Sequence, residues 1–340
     1  MVWRVAEFVI GIVVAAMTLR DVFDTVIVPG GSHATLHIAR RLVFLLLPLW
    51  KRVRGRQRGL STMFAPLVLV ISFALWMALL ALAFGLLAFA LREDFQPPLK
   101  GFGDAVFAVG SALVTVGQGR GGVSGEARWV VLAAGFCGLA VMTMAVTYLL
   151  EVQSSIARRD EGILKLRTSA GEPPTALGLL EKYAAIGTRD ELPQVLRDGR
   201  DWCATVRQSH TSHPSLIYFR TIGTGSGWPA VLGALLDLAL MVERWIEAPE
   251  LRGLAILLRE DGRRMAEDLG RLVDLQPEPA QPDEAGVREL CRRLSAAGYE
   301  RQARFDAAAF AAEREAHAVW IRALARHLGR HPGGLLPREA

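Results

Sequence analysis

No aspartate or glutamate occurs between Thr25 and Arg92, and two further absences stand out: Leu60 to Leu91 and Trp129 to Leu150, runs of 32 and 22 residues, contain no charged side chain of either sign. As helices both exceed the roughly 20 residues that cross a hydrocarbon core of about 30 Å. Core helices of a soluble protein seldom stay uncharged on every face for so long, so these runs argue against an ordinary soluble enzyme. Cysteine is scarce as well: Cys137, Cys203 and Cys291 are far apart, which leaves no disulfide framework and no zinc site. The chain also lacks a Ser-His-Asp set, a pair of catalytic carboxylates and a Walker lysine, and no enzymatic activity is expected.

What is present is a third apolar stretch, Val5 to Leu19, broken only by Glu7 and able to run on to Val28. Arg20 and Asp24 lie four apart near its end and can pair on one helical face, at or near the membrane surface. Arg20 and Asp21 also stand where a cleaved signal peptide would place small residues. The acid-free loop carries seven basic residues, Arg40, Arg41, Lys51, Arg52, Arg54, Arg56 and Arg58, and the positive-inside rule makes it cytoplasmic. The expected topology is therefore multi-pass in the inner (plasma) membrane, with the amino terminus outside and everything after about Glu151 in the cytoplasm. Within the loop, Leu42 to Trp50 is too short to span. It reads either as a helix lying in the inner lipid interface or as a cuff packed on a neighbouring subunit.

Between the two uncharged runs, Phe102 to Val114 is apolar with Asp104 near its start, where a carboxylate can cap a short helix. About ten residues is half of what crossing needs, so this is a re-entrant element, tolerated at membrane depth only where it is buried in protein or faces water. It is followed at once by Thr115-Val116-Gly117-Gln118-Gly119. Glycines at alternate positions admit a backbone conformation that turns successive carbonyl oxygens to one side, and four copies around an axis would stack rings of oxygens able to replace a monovalent cation's hydration shell.

Helix, re-entrant helix, TVGQG and helix resemble the pore module of the tetrameric potassium channel superfamily, whose filter is typically TVGYG. The resemblance covers about Leu60 to Glu151. It implies an ion-conducting filter at Thr115, Val116, Gly117, Gln118 and Gly119, with the carbonyls of Thr115, Val116 and Gly117 as cation ligands. It also implies filter support or mouth positions at Asp104, Ser111 and Arg120. Three departures bear on selectivity. Gln118 stands where tyrosine is usual, Ser111 where many members place a glutamate, and Arg120 where an acid often follows the last glycine. Four arginines would raise the positive potential at the mouth. In the last span, Gly135 and Gly138 sit at small-residue spacing: the resemblance makes them the bend of the inner helix, and close helix packing is the other reading. Thr143 and Thr147 would line the inner vestibule, with a gate near Val146 or Leu150.

From Glu151 onward the chain has 26 basic and 27 acidic residues and almost no strand signal. Helices are expected over 177–186, 191–208, 231–246, 251–275, 287–294 and 300–328, with linkers at 168–176 and 276–286. Gly223 to Trp228, GTGSGW, reads as a turn entering a helix near Pro229 rather than a phosphate loop. His210 and His213 read as surface loop histidines, and His33 and His37 lack a third ligand.

The expected fold is an all-α membrane protein: a potassium-channel-like pore module (60–152) with an extra N-terminal transmembrane helix (1–29), a basic cytoplasmic or interfacial segment (30–59) and an all-α cytoplasmic domain (153–340). The expected function is a homotetrameric cation channel, conducting potassium or another monovalent cation and needing no other cofactor. Its expected partners are membrane lipid and further copies of the chain, with no nucleic acid. The alternative is a non-conducting, membrane-anchored sensor or scaffold that acts through the cytoplasmic helices.

Overall fold

The computed structural model describes residues 2–28, 41, 42, 45–48, 50, 64–117, 121–220 and 225–337. The chain divides into two compact units, Met1–Val152 and Gln153–Ala340. The described residues of both are mostly helical.

The first unit contains α1 (Val2–Val26), α2 (Phe64–Ala90), the short α3 (Phe102–Leu113) and α4 (Ala127–Ala170), which runs on past the unit's boundary. Three of these, α1, α2 and α4, are long and apolar enough to cross a membrane. α1 and α2 pack antiparallel, because their contacts run in opposite directions along the two helices. Arg4 pairs with Glu93 just beyond the end of α2. A Cβ on Gly11 would stand 2.8 Å from the Ala83 carbonyl oxygen, so this close approach requires glycine. Further along, Trp76 Nε1 donates to Asp21 Oδ2 at 2.8 Å.

That last contact changes the reading of the charged end of α1. Arg20 and Asp24 do pair, at 3.6 Å. Asp21, however, is fully buried against the thirteenth of the 27 residues of α2, and α2 itself carries no charge. An apolar environment tolerates such a carboxylate only with a donor aimed at it, and the Trp76 indole is that donor. In the basic segment, the described residues at 41, 42, 45–48 and 50 are helical. Trp50 is buried and stacks on Phe64 with ring centroids 5.2 Å apart, so this segment's end packs against the start of α2. His33 and His37 lie outside the described residues.

The second unit is a helical bundle of α5 (Ala176–Ile186), α6 (Leu192–Ser212), α7 (Gly227–Arg244), α8 (Pro249–Leu272), α9 (Glu284–Ala296) and α10 (Ala307–Leu328). Every residue of α7 except Gly233 and Arg244 is buried, as befits a largely apolar helix at the centre of a core, and its two buried carboxylates, Asp237 and Glu243, are paired with Arg314 and Arg259. Local chemistry sets the boundaries. Thr175, Asp283 and Asp306 accept from amides of the first turns of α5, α9 and α10, and Gly187 and Gly329 end α5 and α10 in the left-handed conformation. The Asp306 cap makes α10 start seven residues later than its apolar pattern suggests. α4 continues to Ala170, well beyond its uncharged run: the sequence after Glu151 has no proline, its one glycine, Gly162, stays helical where it packs on Trp202, and the helix ends at Gly171 (φ +85°).

His210 and His213 correct a sequence expectation: they are 0% and 7% exposed. His210 falls on the buried stripe of α6 with Leu196, Gly199, Cys203 and Val206, so helical periodicity takes it inward. Burial and the nearby Arg159 charge hold its imidazole well below the usual histidine range.

The Asp21–Trp76 contact is testable by unfolding. Asp21→Leu, which strands the buried indole donor, should cost about 1–3 kcal/mol. Asp21→Asn keeps an acceptor and should cost clearly less. Equal thermal unfolding midpoints for both variants in detergent would remove the hydrogen bond from the account.

Candidate functional site

The half-length helix α3 has 12 residues, about 18 Å of rise. Ala105, Val109 and Leu113 recur at four-residue spacing and are fully buried, whereas Phe107 on the other face is 59% exposed. α3 lies on α2 at Gly85, where an added Cβ would meet Val106 Cγ2 at 2.6 Å. Its N-cap is Gly101, not Asp104. The helix begins earlier than the carboxylate suggests, so Asp104 sits inside the first turn and accepts from the Lys100 amide at 3.3 Å, reaching back over the helix start and favoured there by the dipole.

The C-terminal end of α3 is where the backbone departs from helix. Val114 N donates to Gly110 O and Thr115 N to Ala112 O, both at 3.0 Å. The Ser111 carbonyl then accepts twice, from Val116 N at 2.9 Å and Gly117 N at 3.1 Å. Thr115 has φ +61° and Gly117 φ +66°, with Val116 between them outside the left-handed region. The alternation anticipated for glycines therefore begins one residue pair earlier, on a β-branched threonine. That conformation costs a residue with a Cβ about 1–2 kcal/mol. The two hydrogen bonds to Ser111 contribute about 0.5–1.5 kcal/mol each, enough to offset it. Backbone strain held in place by its surroundings is a mark of functional sites. Thr115, Val116 and Gly117 are all exposed on the surface of the single chain. Gln118, Gly119 and Arg120 lie outside the described residues.

The chain beyond them is tied down. Gly122–Val123 (β2) pairs antiparallel with Phe95–Gln96 (β1), and the Ser124 amide and hydroxyl both donate to the Asp94 carbonyl at 2.9 Å. Gly121 (φ +99°) passes so close that a Cβ would sit 1.6 Å from Gln96 O. A cleft of about 590 Å³ opens between this small ladder, α3 and the loop, lined by Phe95, Pro97, Asp104, Phe107, Ser111 and Gly117.

α4 crosses the end of α3 at its glycines. A Cβ at Gly138 would stand 1.8 Å from Leu113 O, whereas at Gly135 the nearest atom, Ala112 O, is 3.5 Å away. Close packing thus has a direct geometric basis at Gly138, and α4 passes both glycines without interruption. Trp129, Leu132, Phe136, Leu139, Val146 and Leu150 form an exposed apolar face of this helix, opposite buried Val130, Ala134, Val141 and Tyr148. The Thr143 and Thr147 hydroxyls back-bond to carbonyls one turn earlier, at 2.9 and 3.1 Å.

The structure thus brings Ser111, Thr115, Val116 and Gly117 together, with Asp104 at the far end of the same helix and Gly135 and Gly138 beneath it. Sequence reasoning missed the lock at Asp94 and Ser124 and the left-handed threonine. Neither has a sequence signal of its own, since both arise from where the loop must return. No group of three or more His, Cys, Asp or Glu side chains placed to hold a metal ion occurs among the described residues. Comparison of the chain with known protein families, curated proteins and solved structures found no match.

The two glycines predict opposite outcomes for one substitution. Alanine is the better helix former by about 1 kcal/mol. Gly135→Ala should therefore be neutral or stabilising. Gly138→Ala drives a Cβ into a backbone carbonyl and should lose about 1–3 kcal/mol net. Thermal unfolding in detergent reads both, and a Gly138→Ala protein as stable as the parent would contradict the packing geometry.

Proposed function

We propose that four copies of this chain form a membrane pore for a monovalent cation, potassium foremost, with Thr115, Val116, Gly117, Gln118 and Gly119 as the filter. The observation that carries the reading is the alternate left-handed backbone at Thr115 and Gly117, fastened to the end of a half-length helix and exposed where other copies can complete a ring. The C-terminal end of α3 points its negative dipole end toward the same place, which favours a cation there.

On this reading the exposed face of α4 meets neighbouring copies or lipid, and Thr143 and Thr147 line the inner vestibule. Gly138 keeps α4 against the filter's supporting helix, and Gly135 offers the less encumbered position for a bend. Asp104 and Ser111 hold the two ends of α3. Arg120 adds positive potential at the outer mouth, so discrimination between potassium and sodium should be weak. The amino terminus lies outside and the helical bundle in the plasma membrane's cytoplasmic side, following the basic loop.

Purified protein in planar bilayers, with potassium, sodium and chloride exchanged in turn, tests the proposal. Cation currents with reversal potentials that follow potassium or sodium and ignore chloride are expected. Silence in every salt from a confirmed tetramer would overturn conduction and leave the anchored sensor. In a conducting protein, Gln118→Tyr with Arg120→Asp should shift the reversal potential toward potassium; no shift would show that these two residues do not set selectivity.

A further inference from the structure

A cavity of about 310 Å³ lies inside the second unit, between α7 and α10. That volume is at the small end of the range for ligand sites. Small residues make the room: Ala230 and Ala234 on α7 and Ala318 on α10 share the lining with Ile321 and Leu335, and all five are buried. The segment before α9 borders the cavity, tied there by the Ala280 amide, which donates to Glu315 Oε1 at 2.8 Å. Gln281, Asp283 and Gly334 line the cavity and are exposed, so it opens to water beside them.

The rest of the lining is charged. Asp237, 4% exposed, follows Ala234 on the same stripe of α7. Arg314 donates to it through Nε at 3.0 Å and Nη2 at 3.1 Å. His317 Nε2 lies 2.9 Å from Asp237 Oδ1, and a carboxylate can only accept, so Nε2 is the protonated ring nitrogen. Burial disfavours the ionised Asp237, but the Arg314 charge and the His317 hydrogen bond outweigh it and hold the carboxyl below its usual range. The charges then match off, Asp237 with Arg314 and Glu315 with Arg322. Two groups are left over. The bonds to Asp237 leave the Arg314 Nη1 amino group to donate elsewhere. Asp283, whose Oδ1 accepts from the Gly286 amide at 2.8 Å, is in no ion pair among the described residues, although its charge acts on Arg314.

We propose that this cavity binds a free amino acid with an aliphatic side chain. Its carboxylate would meet Arg314 Nη1, its ammonium Asp283, and its side chain the alanines, Ile321 and Leu335. A zwitterion matches both left-over groups at once. An anion alone leaves the Asp283 charge uncompensated, and an amine alone leaves the Arg314 donors without an acceptor. Every residue of the site belongs to the second unit, so none of this depends on whether the first conducts ions.

Calorimetric titration of L-leucine into the full-length protein in phosphatidylcholine nanodiscs tests the proposal, with saturable binding of one leucine per chain expected. Isoamylamine lacks the carboxylate and isocaproate the ammonium, and each should bind about tenfold more weakly than leucine, or worse. Asp283→Asn keeps a cap oxygen for Gly286, and it should cost leucine about tenfold in affinity while sparing isocaproate. Ala318→Leu fills the cavity with every charge retained and should abolish binding, circular dichroism confirming the fold of both variants. Silence with L-leucine, L-isoleucine and L-methionine would overturn the proposal. So would leucine binding that is unaltered by Ala318→Leu or by Asp283→Asn, or isocaproate binding as tightly as leucine.

Discussion

The Ser111 carbonyl is the point on which the first unit turns. A helix that stops after 12 residues leaves its last carbonyls without helical partners. Ser111 O accepts the amides of Val116 and Gly117 together. In doing so it folds the chain back over the helix end and holds Thr115 left-handed. The same pair of hydrogen bonds thus satisfies the helix terminus and sets the backbone of the proposed filter. The ladder between β1 and β2 fixes the chain again at Gly122–Val123.

The packing around α3 follows from that arrangement. α2 receives α3 at Gly85, and α4 reaches Leu113 O only because Gly138 has no side chain. α1 adds a layer on α2 rather than on the loop, joined by Gly11, by the Arg4–Glu93 pair and by the Asp21–Trp76 hydrogen bond. Small residues and single polar contacts are what hold helices together where the hydrophobic effect offers no preference between protein and lipid.

Much of this was legible in the residues. Long uncharged runs identify α2 and α4, and a half-length apolar stretch identifies α3, because helix length and hydropathy are local properties. The six helices of the second unit are likewise visible in apolar periodicity, with ends shifted by capping residues such as Asp306. What periodicity could not reveal depends on distant partners. Asp21 looks like a surface charge until Trp76 is placed beside it. His210 and His213 look like loop residues because their neighbours are polar, yet the inward stripe of α6 includes His210. Gly223 to Trp228 reads as a plain turn in sequence, and only the structure shows the Ser226 amide donating to Glu172, 54 residues earlier. Gly138 could be a bend or a contact in sequence alone, and the contact becomes visible only when the Leu113 carbonyl is placed beside it.

Conduction through a ring of four loops requires that the Thr115, Val116 and Gly117 carbonyls meet on a common axis. The most direct measurement is a density map of the assembled protein, prepared in nanodiscs with thallium as the monovalent cation. Fourfold symmetry with cation density beside the Thr115 to Gly117 carbonyls is the predicted result. An assembly whose loops face lipid, or that lacks a common axis through them, would contradict the account.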